Sequence, residues 1–243
     1  MRVFTYRDII KKRMESEELE TIEKPIFTKK VFWDNPYLTE LKAKIVSIKG
    51  NDITVDQTIF YAFSGGQESD EGTIGGQKVL QAKKAGKDII YTVENANDLK
   101  IGAEVMINID WERRYLLMKL HFATELVLEL IYKKFPGIEK LGAHISSDKA
   151  RIDFKYDGNL GEVIREIEKS ANEIIKNDES IKSDFSDEEN ERRYWEISGF
   201  AQVPCGGTHL KTTGEIGPVQ LKRKTAGQGK ERIEIYLTVF TEA

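Results

Sequence analysis

Cysteine occurs once in the 243-residue chain, as Cys205, which rules out an internal disulfide and points to a reducing compartment, the cytoplasm. Histidine occurs three times, so a site built on imidazole has only His121, His144 and His209 to draw on. Apolar residues never run for the roughly 18 positions that a membrane-spanning helix needs, so no membrane association is expected. The opening Met1-Arg2-Val3-Phe4-Thr5-Tyr6-Arg7-Asp8 has basic residues but neither an apolar stretch nor a small-residue cleavage pattern, so no secretory leader is expected. An excess of positive charge is also missing. Lys and Arg total 37 against 41 Asp and Glu, a net charge of -4, which argues against bulk affinity for phosphate backbones. RNA binding would have to rest on local basic patches.

The hydrophobic share of 40% and charged share of 32% are those of a globular protein, and the length is comfortable for two domains. Residues 1–30 mix Lys11, Lys12 and Arg13 with Glu15, Glu17, Glu18 and Glu20, the pattern of a solvated helix or an N-terminal arm. Ala43, Ile45, Val46 and Ile48 form a β-like run, Gly50-Asn51-Asp52 signals a turn, and Ile53 and Val55 resume the alternation. With further strands expected at Val79–Ala82, Ile89–Val93 and Glu104–Ile109, residues 31–110 read as a small β-rich, barrel-like domain.

Residues 110–134 predict a helix. Leu116, Leu120, Ala123, Val127 and Leu130 mark one face, and Leu117, His121, Thr124 and Leu128 a second, so the helix should be largely buried. Phe135-Pro136-Gly137 ends it. A strand is expected at Arg151–Tyr156, and a second amphipathic helix through Leu160, Val163, Ile164, Ile167, Ala171, Ile174 and Ile175. The acidic stretch from Asp178 to Glu191 predicts an exposed, mobile segment, and the last 50 residues are β-rich again. The whole is α+β.

Two residue pairs carry candidate metal chemistry. Cys205 and His209 stand four positions apart around Gly206-Gly207, and a thiolate and an imidazole in a glycine loop can converge on one ion. His121 and Glu125 are at i and i+4 on the first helix, where side chains rise from adjacent turns of one face. Either pair alone is equally what core packing produces; together they take up two of the three histidines. His144, in Gly142-Ala143-His144-Ile145-Ser146, suits a substrate contact, a subunit contact or a plain polar loop. The run from Asp56 to Gly72 packs aromatics, Gly65-Gly66 and short polar side chains together, with Thr58 and Gln67 able to hydrogen-bond a small polar group.

That run resembles the D-x-T-x-F-Y-x-x-x-G-G-Q-x-x-D-x-G signature of alanyl-tRNA editing proteins, free-standing relatives of the editing domain of alanyl-tRNA synthetase. Cys205–His209 matches their C-x-x-x-H, and Trp111-Glu112-Arg113-Arg114 followed by His121 resembles the approach to their H-x-x-x-H. Thr213-Gly214-Glu215-Ile216-Gly217 and Arg232-Ile233-Glu234-Ile235 resemble their closing strands, and the whole is similar to the medium-length type.

The resemblance covers about 31–243 and implies a barrel-like domain, 31–110, before an α+β, zinc-containing editing domain, 111–243. It implies ATP-independent hydrolysis of the ester joining a wrong amino acid, serine or glycine, to tRNA(Ala). It implies zinc on His121, Cys205 and His209, with Thr58 and Gln67 lining the amino-acid pocket and Gly65 and Gly66 at the substrate. Glu125 departs from the pattern, standing where the family has histidine. It can be the fourth ligand, handle a water, or mark a weakened site. Lys222, Arg223 and Lys224, with Arg113, Arg114 and Lys119 on the first helix, are candidates for a basic face that holds the acceptor stem. A non-catalytic RNA-binding protein with a structural zinc, and a hydrolase of a different aminoacyl-tRNA, are the alternatives.

Overall fold

A computed structural model of the chain describes residues 27–238. The N-terminal arm assigned to 1–30 therefore lies almost wholly outside the described residues. The secondary structure is α+β, with strands predominating.

The first part begins with a two-residue strand β1 (Lys29–Lys30) and one helical turn, α1 (Val31–Asp34). Strands β2 (Glu40–Lys49), β3 (Asp52–Val55), β4 (Gln57–Thr58), β5 (Gly72–Ile74), β6 (Gln77–Ala85), β7 (Asp88–Val93) and β8 (Glu104–Ile109) follow. Six of them close a barrel in the order β2-β3-β7-β6-β5-β8, while β4 pairs with β1. The β2–β3 turn sits at Gly50, whose φ of 61° suits glycine. Ile45, Ile53, Val55, Tyr91, Val93 and Ile107 alternate inward along these strands and form a core of their own.

Helix α2 (Trp111–Lys134) starts at Asp110, whose carboxylate accepts the Arg113 amide at 3.0 Å. The second face is buried throughout, and the first at Leu120, Ala123 and Val127, but at its ends Leu116 is exposed and Leu130 half-buried, because the helix ends reach past the core. Then come β9 (Glu139–Ile145), β10 (Ala150–Lys155), a short turn at Leu160–Glu162 and α3 (Ile164–Asn177). α3 buries Ile167, Ala171 and Ile175, which recur at steps that keep them on one face. The chain continues through β11 (Lys182–Asp187), β12 (Arg192–Ile197), β13 (Ala201–Pro204), β14 (Val219–Thr225) and β15 (Lys230–Leu237). β14-β15-β10-β9 make one antiparallel sheet against which α2 lies, and β11-β12-β13 a second. A second core joins α2, α3 and these sheets.

The acidic stretch 178–191 is not the loop its charge suggests. It supplies β11, whose side chains alternate between exposed and half-buried, so Lys182, Asp184 and Ser186 face outward while Ser183 and Phe185 face protein. Strand pairing with β12 organises a segment that has no apolar signal of its own. No helix among the described residues is long and apolar enough to cross a membrane.

A candidate metal centre between helix and glycine loop

The two parts meet at a buried ion pair. Arg114, on the first turns of α2, is fully buried. Its Nε donates to Asp70 Oδ1 at 2.7 Å, its Nη2 to Asp70 Oδ2 and to the Ile59 carbonyl, and its Nη1 to the Pro36 carbonyl at 3.0 Å. Asp70 also accepts the Tyr61 amide at 2.6 Å. Arg114 thus ties the glycine-rich segment to α2 and is no part of a basic face. Arg113 is likewise engaged, donating to Glu68 at 2.6 Å and to Ser147 at 3.1 Å.

Seven residues along α2, and so on the same side, His121 points at the loop that follows β13. Cys205 Sγ lies 3.3 Å from His121 Nε2 and 3.3 Å from His209 Nε2. The three donor atoms are all within 4.8 Å of one another. The imidazole rings stack, their centroids 5.4 Å apart and their planes 20° from parallel. Gly207 makes this approach possible: a Cβ there would stand 2.5 Å from His121 Nε2.

The donor set fits a metal ion. Zn–S near 2.3 Å and Zn–N near 2.05 Å at tetrahedral angles put sulfur and nitrogen about 3.5 Å apart, close to the separations found here. Burial pushes the His121 and His209 imidazoles below their ordinary range, which keeps them neutral as ligands must be. Burial, reinforced by the Glu125 charge, pushes the Cys205 thiol up to about 12, so its thiolate needs a cation beside it. His209 Nδ1 is oriented by Ser183 Oγ at 2.8 Å, the kind of outer contact that fixes a ligating ring. His121 Nδ1 is buried with no partner.

Glu125 stands beside this group but outside it. Its Oε2 accepts the Trp195 indole N–H at 3.1 Å, and its Oε1 lies 3.9 Å from Cys205 Sγ. Three protein donors converge and a carboxylate waits at the edge.

The other expected residues separate. Gln67 is fully buried and reaches the loop: its Nε2 donates to Thr208 Oγ1 at 3.2 Å, and its Oε1 has no partner. Thr58 is fully buried in the barrel, bonding Tyr91 Oη at 2.8 Å and accepting the Phe60 amide at 2.9 Å, so its hydroxyl is committed there. Gly65 and Gly66 turn the chain at φ of 63° and 90°. A Cβ on Gly66 would strike the Ala143 carbonyl of β9, so close backbone approach accounts for that glycine. His144 bonds Glu68 at 3.1 Å rather than joining the other histidines. On β14, Arg223 forks onto Glu231 and Lys224 bonds Glu234 at 2.9 Å, both acids being buried; Lys222 lies over the Tyr236 ring. Two of these three cations are therefore neutralised locally. Ser183 and Trp195 escaped sequence reasoning because a serine and a tryptophan carry no signal until the chain brings them to the ligands.

Residues 9–113 match the family described as tRNA synthetases class II (A), and residues 196–234 match the threonyl and alanyl tRNA synthetase second additional domain. The chain is 37% identical to the alanyl-tRNA editing protein AlaX-M of Pyrococcus horikoshii, over 86% of this chain and 98% of that protein. The chain belongs to the alanyl-tRNA editing protein family. It is also 33% identical to AlaX-M of Methanosarcina mazei, over 89% of this chain and 98% of the relative. Alanine–tRNA ligase of Methanococcus aeolicus is 34% identical over 85% of this chain, which spans only 25% of that ligase. The first match takes in most of the N-terminal arm, which the signature motifs left out.

Proposed function

We propose that this protein is an aminoacyl-tRNA deacylase that hydrolyses mischarged tRNA(Ala), with serine, and also glycine, as the amino acid removed. The observation that carries the reading is the convergence of His121, Cys205 and His209 within 4.8 Å, in a chain that matches free-standing alanyl-tRNA editing proteins along nearly their whole length. The functional division follows the same reading: a barrel-like domain over 31–110 and an editing domain over 111–243.

Zinc is the ion proposed for this thiolate-and-imidazole donor set; held by His121, Cys205 and His209, it would supply a Lewis acid able to polarise a carbonyl or acidify a water. Three protein donors leave a position open, which is the arrangement of a catalytic site. His209 is held in place through Ser183, and Glu125 through Trp195. Glu125 Oε1, on the thiol side, is placed to accept a proton from an attacking water. The unpartnered Gln67 Oε1 offers an acceptor that a serine hydroxyl can satisfy and the methyl of alanine cannot, a basis for sparing correctly charged tRNA.

A deacylation panel with Ser-, Gly- and Ala-charged tRNA(Ala), with and without a zinc chelator, tests the reading. Serine should be released, alanine retained, and release should stop on chelation. Binding of all three without turnover would instead make this an RNA-binding module.

A further inference from the structure

Among the described residues, Arg193 is the one buried arginine the proposed chemistry leaves unexplained. It is 6% exposed, on β12, directly beside the ligand loop: the Cys205 amide donates to its carbonyl at 2.9 Å. Among the described residues no carboxylate lies within 4.0 Å of it. Asp34, the Cys205 sulfur and Asp184 act on it from further off, and Asp34 is itself paired with Lys29 at 3.3 Å. Its Nη2 donates to the Trp33 carbonyl at 3.2 Å, while its Nε is buried with no partner. The guanidinium lies 5.5 Å from the Trp33 ring and 5.0 Å from the Phe185 ring, which hold it in position. A desolvated guanidinium with an idle donor and no acid is costly unless something negative arrives.

The space before it is suited to that arrival. A cavity of about 360 Å³ has Trp33, Asp34, Ser183, Arg193, His209 and Lys211 in its lining, so one wall is a candidate metal ligand and two cations stand against a single carboxylate, which Lys29 already pairs. Lys211 stands over the Tyr37 ring at 4.7 Å, at the exposed end. An anion attached to the reacting ester would therefore enter between Arg193 and Lys211 while the ester itself reached His209.

We propose that Arg193 is the seat for a phosphodiester of the single-stranded 3′ end of the aminoacylated RNA, with Lys211 guarding the mouth of the same cavity. This rests on the deacylase reading, since it takes the ester-bearing end of RNA as the occupant. Arg193 is a positioning residue: it anchors the strand so that the ester meets the metal centre, and it makes no contact with the reacting atoms. A planar guanidinium fork suits phosphate oxygens, whereas lysine would offer only a point charge.

The test uses the full chain and uncharged tRNA(Ala), which separates binding from hydrolysis. Affinity is measured by fluorescence anisotropy between 50 and 200 mM salt for wild type, Arg193→Gln, Arg193→Lys and Lys211→Gln. Arg193→Gln should bind about tenfold to a hundredfold more weakly. Its plot of log affinity against log salt should be shallower by about 0.7, the share of one phosphate on a single strand. Arg193→Lys should keep the slope and lose part of the affinity. In deacylation, KM should rise for Arg193→Gln with little change in kcat. Should Arg193→Gln not fold, the wild-type Arg193 Nε–H resonance, assigned by its loss in Arg193→Lys, should shift when adenosine 5′-monophosphate is added. Unchanged slope, affinity and KM in a folded Arg193→Gln, or an unmoved Nε–H resonance, overturns the proposal. A wild type that hydrolyses nothing, yet shows the Arg193-dependent slope, refutes the deacylase reading and leaves the anion seat standing.

Discussion

Removing Asp70 should cost more than removing any surface charge, because Arg114 has nowhere else to put its own charge. Both side chains are fully sequestered, and the guanidinium forks onto both carboxylate oxygens. In Asp70→Ala the cation stays buried with only the Ile59 and Pro36 carbonyls for company. Breaking one side of such a pair costs about 3–5 kcal/mol. That range takes in the lost acceptor of the Tyr61 amide, itself worth about 1–3 kcal/mol. For a chain of this size each kcal/mol lowers Tm by about 2–4 °C, so a fall of about 6–20 °C is expected. Urea unfolding of Asp70→Ala, Arg114→Met and the double variant completes the cycle. The double variant should be more stable than the sum of the single losses predicts, by about 2 kcal/mol, because neither charge is then stranded. A loss below about 1 kcal/mol in Asp70→Ala, or strict additivity, would refute the assignment of this pair as the tie between glycine loop and helix.

Gly207→Ala places a methyl against His121 Nε2 and should weaken metal retention by about tenfold or more, read by competition with a chromogenic chelator. Glu125→Gln keeps an acceptor for Trp195 but loses the base; bound metal should stay near wild type by elemental analysis while the rate of serine release falls by about 10²–10⁴. Equal activity in that variant would remove Glu125 from the chemistry. Burial alone would raise the Glu234 carboxyl, but donors from Lys224, Lys149 and Tyr236 outweigh it and hold the group at about 2. Its contribution to stability is complete above the ordinary value of 4.5 and drains away as pH falls toward about 2. Acid titration of Tm should therefore be shallower in Glu234→Gln over that window.

Much of the architecture is written locally. The strand at Glu104–Ile109 and the helix from Trp111 to Lys134 fall where alternation and the apolar stripes put them, because each turns a regular apolar face to its own core. The second helix is as legible, through Ile167, Ala171 and Ile175. β11 was not, since Lys182–Asp187 has no apolar alternation and becomes a strand only by pairing with β12. The surroundings of the basic residues were not legible either: the fold buries Arg114 against Asp70 and sets Glu231 and Glu234 beside the part-exposed Arg223 and Lys224.

The metal centre shows where the line falls. Sequence by itself determined the donor types, their order and the family signature, since Cys205 and His209 are neighbours in the chain and His121 and Glu125 are neighbours on a helix. Tertiary structure alone decided which of the four converge, because a separation of 84 positions between His121 and Cys205 leaves their distance free until both cores form. It turned Glu125 toward Trp195, sent Thr58 into the barrel, and brought Ser183 and Arg193 to the ligands. Local chemistry is carried by spacing, but the burial that makes a thiol, an imidazole or a guanidinium functional belongs to the packed whole.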